Sequence, residues 1–325
     1  MPSSEYLYFA EKFRTAPFDN PRRIGYARLR QLQEERITSE DAGCPGVLQH
    51  KTRIGNLQAE WLVPEGCPGN KAMVYIHGGG WSLGSIRQTR IFLAPMAKKI
   101  GFAAVHFNYR LMPEDPFPAG MDDCYSFYLG LLEKGWRAQN LALAGESAGA
   151  NLALALLLRL KEEGLPMPAA AVLMSPITFM DTMEGSHTEM VDFDYILAED
   201  SFIISDVAEL YAPGRDKTHP WLSPLYGDLL GLPPMQLYVG TDELLFDDAI
   251  HFYRKSRRAG NQVELIVGDH MPHSWPIFIG DFPEAEAAVL KMGDFLRLYL
   301  PEEEQRLMSA CDTKGKDRGA CDGNK

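Results

Sequence analysis

Short apolar runs alternate with helical stretches along most of this 325-residue chain, and this alternation limits the folds open to it more than any other feature. The runs are rich in β-branched and aromatic residues and predict strands: VLQHKTRI, LQAEWLVP, AMVYIH, FAAVHFNY, LALAG, AAVLMS, MQLYVG and VELIV. Helical patterns follow most of the later runs, at residues 87–100, 119–134, 148–163, 245–259 and 283–300. Strands that alternate with helices predict an α/β fold with a mostly parallel central sheet flanked by helices. Because no helix separates the first two runs, we expect them to pair antiparallel at one edge.

These patterns divide the chain into three parts. Residues 1–43 hold two helical segments separated by APFDNP, and residues 44–300 hold the α/β domain. Within that domain, about residues 177–232 contain no clear strand, and structureless connections of that length are uncommon, so we expect helices there. Together with the N-terminal segment, this insertion is predicted to form a helical cap over the open end of the sheet. Residues 301–325 are polar and charged and predict a disordered tail.

Charge and composition argue against several classes of partner. The chain has 32 Lys and Arg residues against 44 Asp and Glu residues, a net charge of -12, which disfavours nucleic acid and anionic membrane surfaces. The sequence contains no apolar run of about 18 residues that would predict a membrane span. The first residues do not resemble a secretory leader, so we expect a cytoplasmic protein. The five cysteines are scattered without a CxxC pair, which predicts free thiols rather than disulfides or a zinc site.

Ser147 is the candidate nucleophile. It is the central residue of a GxSxG pattern in AGESAGAN, which follows an apolar strand and precedes the helical run NLALALLLRL. Small residues on both sides allow a sharp strand-to-helix turn, which would expose the hydroxyl beside the first N–H groups of the helix. A serine that only caps the helix is the alternative for the motif alone. The strand before it and the helix after it favour the nucleophile.

A second glycine-rich loop, YIHGGGWSLGS, also follows a strand. Consecutive glycines let main-chain N–H groups face a developing oxyanion without a side chain in the way. We therefore predict Gly78 and Gly79, together with Ala148 after the nucleophile, as oxyanion donors, and we expect His77 to hold the loop. A phosphate-binding loop is disfavoured because neither GKS, GKT nor GxGxxG spacing is present.

A serine nucleophile needs a histidine base that is oriented by a carboxylate, and in this fold both should follow the serine in the sequence. In LYVGTDELLFDDA, Asp242 comes just beyond a strand and is the predicted acid. Glu243 is expected to point elsewhere, and Asp247 and Asp248 are expected to lie on the surface or cap a helix.

The base is one of two histidines in VGDHMPHSWPIF, either His270 or His273. Their spacing alone favours neither of them. An HxxH metal pair is the other interpretation, but no third ligand stands at a recognisable spacing.

Several blocks taken together resemble one known family. HGGGW, NYRLMPEDPFPAGMDD, GESAGANLAL, LSPLYGDLLGLPP, VGTDELLFDDA and MPHSWPIF are similar to blocks of the hormone-sensitive-lipase-like esterases of the α/β-hydrolase superfamily, and they span about residues 45–300. The resemblance implies Ser147 as nucleophile, Asp242 as orienting acid and His273 as base. It also implies the helical cap and short-chain acyl esters or lactones as substrates. Two positions depart from the family pattern: Glu146 replaces the usual Asp or Thr, and Ser-Trp follows the base where Gly-Phe is common.

The predicted function is a serine carboxylesterase that forms an acyl-enzyme on Ser147, needs no metal or organic cofactor and acts on a small ester. Two alternatives stay open. An amidase or deacetylase would use the same triad. A non-catalytic small-molecule receptor, such as the plant gibberellin receptors that resemble this family, would lack the base, and the presence of His273 argues against it. The sequence also leaves a homodimer open.

Overall fold

The computed structural model describes residues 1–15, 21–38, 43–181, 185–197 and 204–300. Its eight strands form one sheet in the order β1-β2-β4-β3-β5-β6-β7-β8. The strands are β1 (Val47–Ile54), β2 (Leu57–Pro64), β3 (Ala72–Ile76), β4 (Ala103–Phe107), β5 (Leu141–Glu146), β6 (Ala170–Met174), β7 (Met235–Gly240) and β8 (Val263–Gly268). Each apolar run of the sequence coincides with one of these strands to within two residues at either end, which confirms the predicted α/β fold.

The sheet is antiparallel at one edge and parallel elsewhere. β1 pairs antiparallel with β2, and β2 pairs antiparallel with β4. The other neighbours are all parallel. The carboxyl ends of the parallel strands therefore meet at one end of the sheet, where the loops that follow them become neighbours.

The inner strands are covered on both faces. Every residue of β3, β4, β5, β6 and β7 is buried. This burial explains why the strands appear in the sequence as nearly continuous apolar runs rather than as an alternation of apolar and polar residues.

Helices pack against both faces of the sheet. They are α1 (Ser4–Thr15), α2 (Pro21–Ile24), α3 (Tyr26–Arg36), α4 (Ile86–Ile100), α5 (Ala119–Glu133), α6 (Ala148–Glu162), α7 (Ser186–Glu189), α8 (Ile204–Tyr211), α9 (Phe246–Arg258) and α10 (Pro283–Tyr299). Phe127 of α5, Leu157 of α6 and Phe252 of α9 belong to one apolar core. Leu93 of α4 and Val289 of α10 belong to a second core. Within the described ranges, no helix has both the length and the apolarity to cross a membrane.

The predicted cap corresponds to α1–α3 and to an insertion whose described residues hold α7, α8 and a 3-10 turn at Pro224–Tyr226. Phe13 of α1 contacts Tyr195 of the insertion, with ring centroids 5.8 Å apart. Arg30 of α3 donates a hydrogen bond to the Ser82 carbonyl oxygen over 2.9 Å, on the glycine-rich loop. The first contact joins the N-terminal segment to the insertion, and the second joins α3 to the glycine-rich loop, while the cap as a unit stays a prediction. The predicted tail at 301–325 lies outside the described residues.

Candidate active site

Ser147 lies at the sharp turn between β5 and α6. Its backbone has φ 55° and ψ -124°, a region that non-glycine residues adopt only where the surrounding structure holds them. A Cβ on Gly149 would lie 2.1 Å from the Ile76 carbonyl oxygen, and a Cβ on Gly145 would lie 2.8 Å from it, so both glycines are required by close packing. The Ser147 side chain makes no capping hydrogen bond to the helix. The helix-capping interpretation is therefore wrong, and the role of Ser147 as nucleophile stays a prediction.

His273 follows β8 and is bound to a buried carboxylate. Its Nδ1 donates a hydrogen bond to Glu243 Oε2 over 2.7 Å. Both residues are buried, since 5% of His273 and 0% of Glu243 is exposed. Because Nδ1–H faces Glu243, Nε2 of the neutral imidazole is the nitrogen that can accept a proton. Of the two candidate bases, the structure gives this arrangement to His273.

The prediction that Asp242 orients the base is wrong. Asp242 Oδ2 instead lies 3.3 Å from Nδ1 of His270, whose side chain is 60% exposed. The loop after β7 turns back on itself, because the Asp242 N–H donates to the Met271 carbonyl and the Gly240 N–H donates to Glu243 Oε1. This turn directs the side chain of residue 242 outward and that of residue 243 inward.

Two further groups hold the Glu243 carboxylate in place. Oε1 accepts hydrogen bonds from the Gly240 N–H over 2.6 Å and from the Ser175 hydroxyl over 2.8 Å. Oε2 is thereby left for His273. In the sequence, the only hint of this arrangement was that two carboxylates, Asp242 and Glu243, stand side by side after the strand.

The charge of Glu243 also sets the basicity of His273. Burial is the largest single influence and lowers the pKa of the imidazole, whereas the hydrogen bond and charge of Glu243, together with the charges of Asp194 and Glu146, raise it. The net result is a pKa above the ordinary value of histidine. Nearby negative charges favour the imidazolium form that a general base adopts after it takes a proton.

The loops that carry Ser147 and His273 meet at the same end of the sheet. The Ser147 N–H donates to the Met174 carbonyl over 2.8 Å. The next residue, Ser175, accepts a hydrogen bond from the N–H of Ser274 over 2.9 Å. Since Met174 and Ser175 are consecutive and Ser274 follows His273, the end of β6 connects the nucleophile turn directly to the loop of the base.

The glycine-rich loop follows β3 at this same end of the sheet. The Gly78 N–H donates to Glu146 Oε1 over 2.6 Å, so the prediction that Gly78 supplies an oxyanion donor is wrong. Gly79 and Gly80 have φ values of 99° and 58°, which glycine adopts without strain. Within the described part of the chain, the main-chain N–H groups of Gly79, Gly80 and Ala148 have no hydrogen-bond acceptor. Gly80, which the sequence reasoning missed, therefore replaces Gly78 as a candidate oxyanion donor.

Comparison with known proteins identifies the family. A protein-family model described as the alpha/beta hydrolase fold matches residues 73–277. The chain belongs to the α/β hydrolase family. It is 36% identical over 277 residues to an acetyl-hydrolase of Streptomyces hygroscopicus, covering 85% of this chain and 89% of that protein. It is 30% identical to an esterase of Acinetobacter venetianus, covering 89% of this chain and 95% of that protein.

Solved structures agree with this assignment. An EstE5 crystal structure superimposes on the hydrolase with a TM-score of 0.85 at 32% identity, covering 92% of this chain and 99% of that one. An esterase from the bacterial hormone-sensitive lipase family gives a TM-score of 0.84 at 32% identity, with the same coverage. The resemblance to hormone-sensitive-lipase-like esterases is confirmed.

Glu146 joins the two loops of the hydrolase that surround the nucleophile. Its Oε1 accepts from the Gly78 N–H over 2.6 Å, and its Oε2 accepts from the Tyr75 hydroxyl. Burial raises the pKa of Glu146 to about 7, although these hydrogen bonds act in the opposite direction. The residue that departs from the family pattern thus fixes the glycine-rich loop against the nucleophile strand.

His77 has a structural place in the same loop, as predicted. Its Nδ1 lies 2.9 Å from the Gly78 carbonyl oxygen, and its ring stacks on Tyr109 with centroids 4.3 Å apart. Burial lowers the pKa of His77 to about 4, so the imidazole is neutral at pH 7. A neutral His77 holds the loop without adding charge beside the candidate oxyanion donors.

Buried carboxylates tie the insertion of the hydrolase to the loop of Glu243. Asp194 Oδ2 accepts from the Leu244 N–H over 2.8 Å. His187 Nε2 lies 2.5 Å from Asp248 Oδ2, and both side chains are fully buried. The expectation that Asp248 lies on the surface or only caps a helix is therefore wrong. These contacts connect residues of the insertion to the residues directly after the acid.

The described residues contain no group of three or more His, Cys, Asp or Glu side chains that could hold a metal ion. The two histidines of the HxxH pattern bind different carboxylates, His270 facing Asp242 and His273 facing Glu243. The pattern therefore does not form a shared ligand pair.

Proposed function

We propose that this protein is a serine carboxylesterase that hydrolyses short-chain acyl esters through an acyl-enzyme on Ser147. One observation carries the proposal: His273 binds buried Glu243 through Nδ1 at 2.7 Å, on a loop connected through Ser175 to the strained turn of Ser147. Its membership of the esterase family supports ester hydrolysis as the reaction. The triad in this proposal is Ser147, His273 and Glu243.

In the first half-reaction, Ser147 Oγ attacks the ester carbonyl carbon while its proton passes to His273 Nε2. The oxyanion is bound by the main-chain N–H groups of Gly79, Gly80 and Ala148, and Glu243 stabilises the imidazolium. Nε2 then gives the proton to the leaving oxygen as the bond between the acyl carbon and the alcohol oxygen breaks.

In the second half-reaction, water attacks the acyl-enzyme and gives a proton to His273 Nε2. When the tetrahedral intermediate collapses, Nε2 returns this proton to Ser147 Oγ and the carboxylic acid leaves. The enzyme ends in its starting protonation state, with no cofactor consumed.

Two relatives support the proposed length of the acyl chain. One relative, 36% identical, is named an acetyl-hydrolase, and the EstE5 protein, 32% identical, was soaked with p-nitrophenyl butyrate in one of its structures. Acetyl and butyryl groups have two and four carbons, so both observations support short acyl chains. Lactones, which are internal esters, fall within the same chemistry.

A substrate panel tests the proposal on purified wild type and on Ser147→Ala, with folding of each verified by circular dichroism. We expect turnover of p-nitrophenyl acetate and butyrate, slower turnover of the octanoate, and a loss of kcat of roughly a millionfold in Ser147→Ala. Faster cleavage of p-nitroacetanilide than of the acetate ester would indicate an amidase instead. If folded wild type cleaved neither ester nor anilide, the catalytic proposal would fail and the receptor alternative would take its place.

A further inference from the structure

Ser274 places a second hydroxyl beside the proton-accepting nitrogen of the base. Its Oγ lies 3.3 Å from Nε2 of His273, and the residue is 3% exposed. This Nε2 is the atom that has to take the proton of Ser147 in the proposed reaction. A hydroxyl can donate to the neutral nitrogen and can accept from the same nitrogen once it is protonated.

The hydroxyl is held there by a closed ring of hydrogen bonds. The Ser274 N–H donates to Ser175 Oγ over 2.9 Å, and Ser175 Oγ donates to Glu243 Oε1 over 2.8 Å. Glu243 Oε2 accepts from His273 Nδ1 over 2.7 Å, and Nε2 faces Ser274 Oγ. Because every member of the ring is buried, the position of Ser274 is fixed by the same contacts that fix the acid and the base.

The backbone conformation of Ser274 is unfavourable for a residue with a side chain. Its φ is 56°, in the left-handed region that glycine adopts freely and that other residues occupy only with strain. A glycine at this position would keep the N–H bond to Ser175. What glycine would lack is the hydroxyl at Nε2.

We propose that Ser274 is a positioning residue of the esterase reaction, whose hydroxyl donates to Nε2 of neutral His273 and accepts from Nε2–H of the imidazolium. This role rests on the proposed function, because it acts through His273 as the base. When Nε2 takes the proton of Ser147, the Ser274 hydroxyl rotates about its Cβ–Oγ bond and presents a lone pair. No bond to Ser274 forms or breaks, and the proton continues from Nε2 to the leaving alcohol.

The Ser274 hydroxyl favours the protonated form of His273. A hydrogen bond from a charged donor is roughly twice as strong as one between neutral groups, so the hydroxyl stabilises the protonated base more than the neutral one. The charged groups that face His273 are Glu243, which binds it directly, and Asp194 and Glu146, which act through charge. All three are unchanged by a substitution at Ser274, so removal of the hydroxyl alone should shift the acid limb of the pH profile to lower pH.

Two variants separate the hydroxyl from the backbone strain. Ser274→Ala removes the hydroxyl and keeps the strain, whereas Ser274→Gly removes both. We expect kcat for p-nitrophenyl butyrate to fall about five- to tenfold in both variants with KM unchanged, and the acid limb of kcat/KM to move to lower pH in both. Ser274→Gly should melt at a higher temperature than Ser274→Ala.

A matched control lies on the same loop. His270 also has a left-handed backbone, with φ 57°, and it contacts Asp242 rather than the base. His270→Gly relieves the same kind of strain, and its kcat and pH profile should match the wild type. Wild-type kcat and an unmoved acid limb in Ser274→Gly would overturn the role of the hydroxyl, while an inactive wild type would instead overturn the proposed function.

Discussion

Replacement of Glu243 by glutamine tests the assignment of the acid most directly. The carboxylate accepts the Nδ1–H of His273 over 2.7 Å at a site with 0% exposure. A buried hydrogen bond to a charged group contributes about 1.5–3 kcal/mol, and the neutral amide also fails to stabilise the imidazolium formed in the transition state. We therefore expect Glu243→Gln to raise the barrier by about 3 kcal/mol or more, which lowers kcat at least roughly a hundredfold.

Asp242→Asn is the matched control, because it makes the same chemical change one residue away. The Asp242 carboxylate faces a histidine side chain that is 60% exposed, over 3.3 Å. Exposed ion pairs contribute less than about 1 kcal/mol, so kcat should stay within about threefold of the wild type. Steady-state hydrolysis of p-nitrophenyl butyrate measures both variants. If Asp242→Asn lost activity and Glu243→Gln kept it, the geometric argument for the acid would be refuted.

The pH profile of the same two variants gives an independent readout. Ester hydrolysis needs neutral His273, so kcat/KM falls as the pH is lowered through the pKa of His273. Glu243 raises that pKa against the effect of burial, so the wild-type acid limb should lie above the ordinary histidine value of about 6.5. Glu243→Gln removes the largest raising influence and should move the limb to lower pH, whereas Asp242→Asn should leave it in place.

Three further perturbations follow from the site. Ser175→Ala removes hydrogen bonds to Glu243 and to the Ser274 N–H, so we expect kcat to fall about tenfold, with a much smaller effect on a Glu243→Gln background because the two groups act together. Glu146 has its folded pKa raised from 4.5 to about 7, so folding favours its protonated form and the free energy of unfolding should decrease as the pH rises through this window. In urea titrations, the free energy of unfolding should decrease less between pH 5 and pH 8 in Glu146→Gln than in the wild type. An equal decrease in the two proteins would contradict the raised pKa of Glu146. Gly149→Ala would place a Cβ 2.1 Å from the Ile76 carbonyl oxygen, and we expect it to lower the melting temperature or prevent soluble expression, unlike an alanine at Gly69, whose Cβ would meet no atom within 4 Å.

The sequence predicts the sheet well because its strands are buried on both faces. AMVYI and LALAGE appear as apolar runs because every residue of β3 and β5 is buried, and this burial is a property that the sequence displays directly. The nucleophile turn is predictable for a related reason. Gly145 and Gly149 flank Ser147 within one short stretch, and the close approach that requires them is made by the adjacent strand β3.

The acid and one oxyanion donor were misassigned because each depends on a bond between distant parts of the chain. In the turn after β7, a shift of one residue decides which carboxylate faces inward, and Glu243 is held inward by the Gly240 N–H and also by the Ser175 hydroxyl, 68 positions away from Glu243. In the glycine-rich loop, Gly78 is no longer available to an oxyanion because its N–H is bound by Glu146, also 68 positions away. Nothing local to either loop distinguishes Asp242 from Glu243, or Gly78 from Gly80. The two errors have one physical cause. Each falls where a polar group at the end of the sheet forms a hydrogen bond with a buried partner from another loop. Ser175, which follows β6, and Ser274, which follows His273, connect these loops to one another.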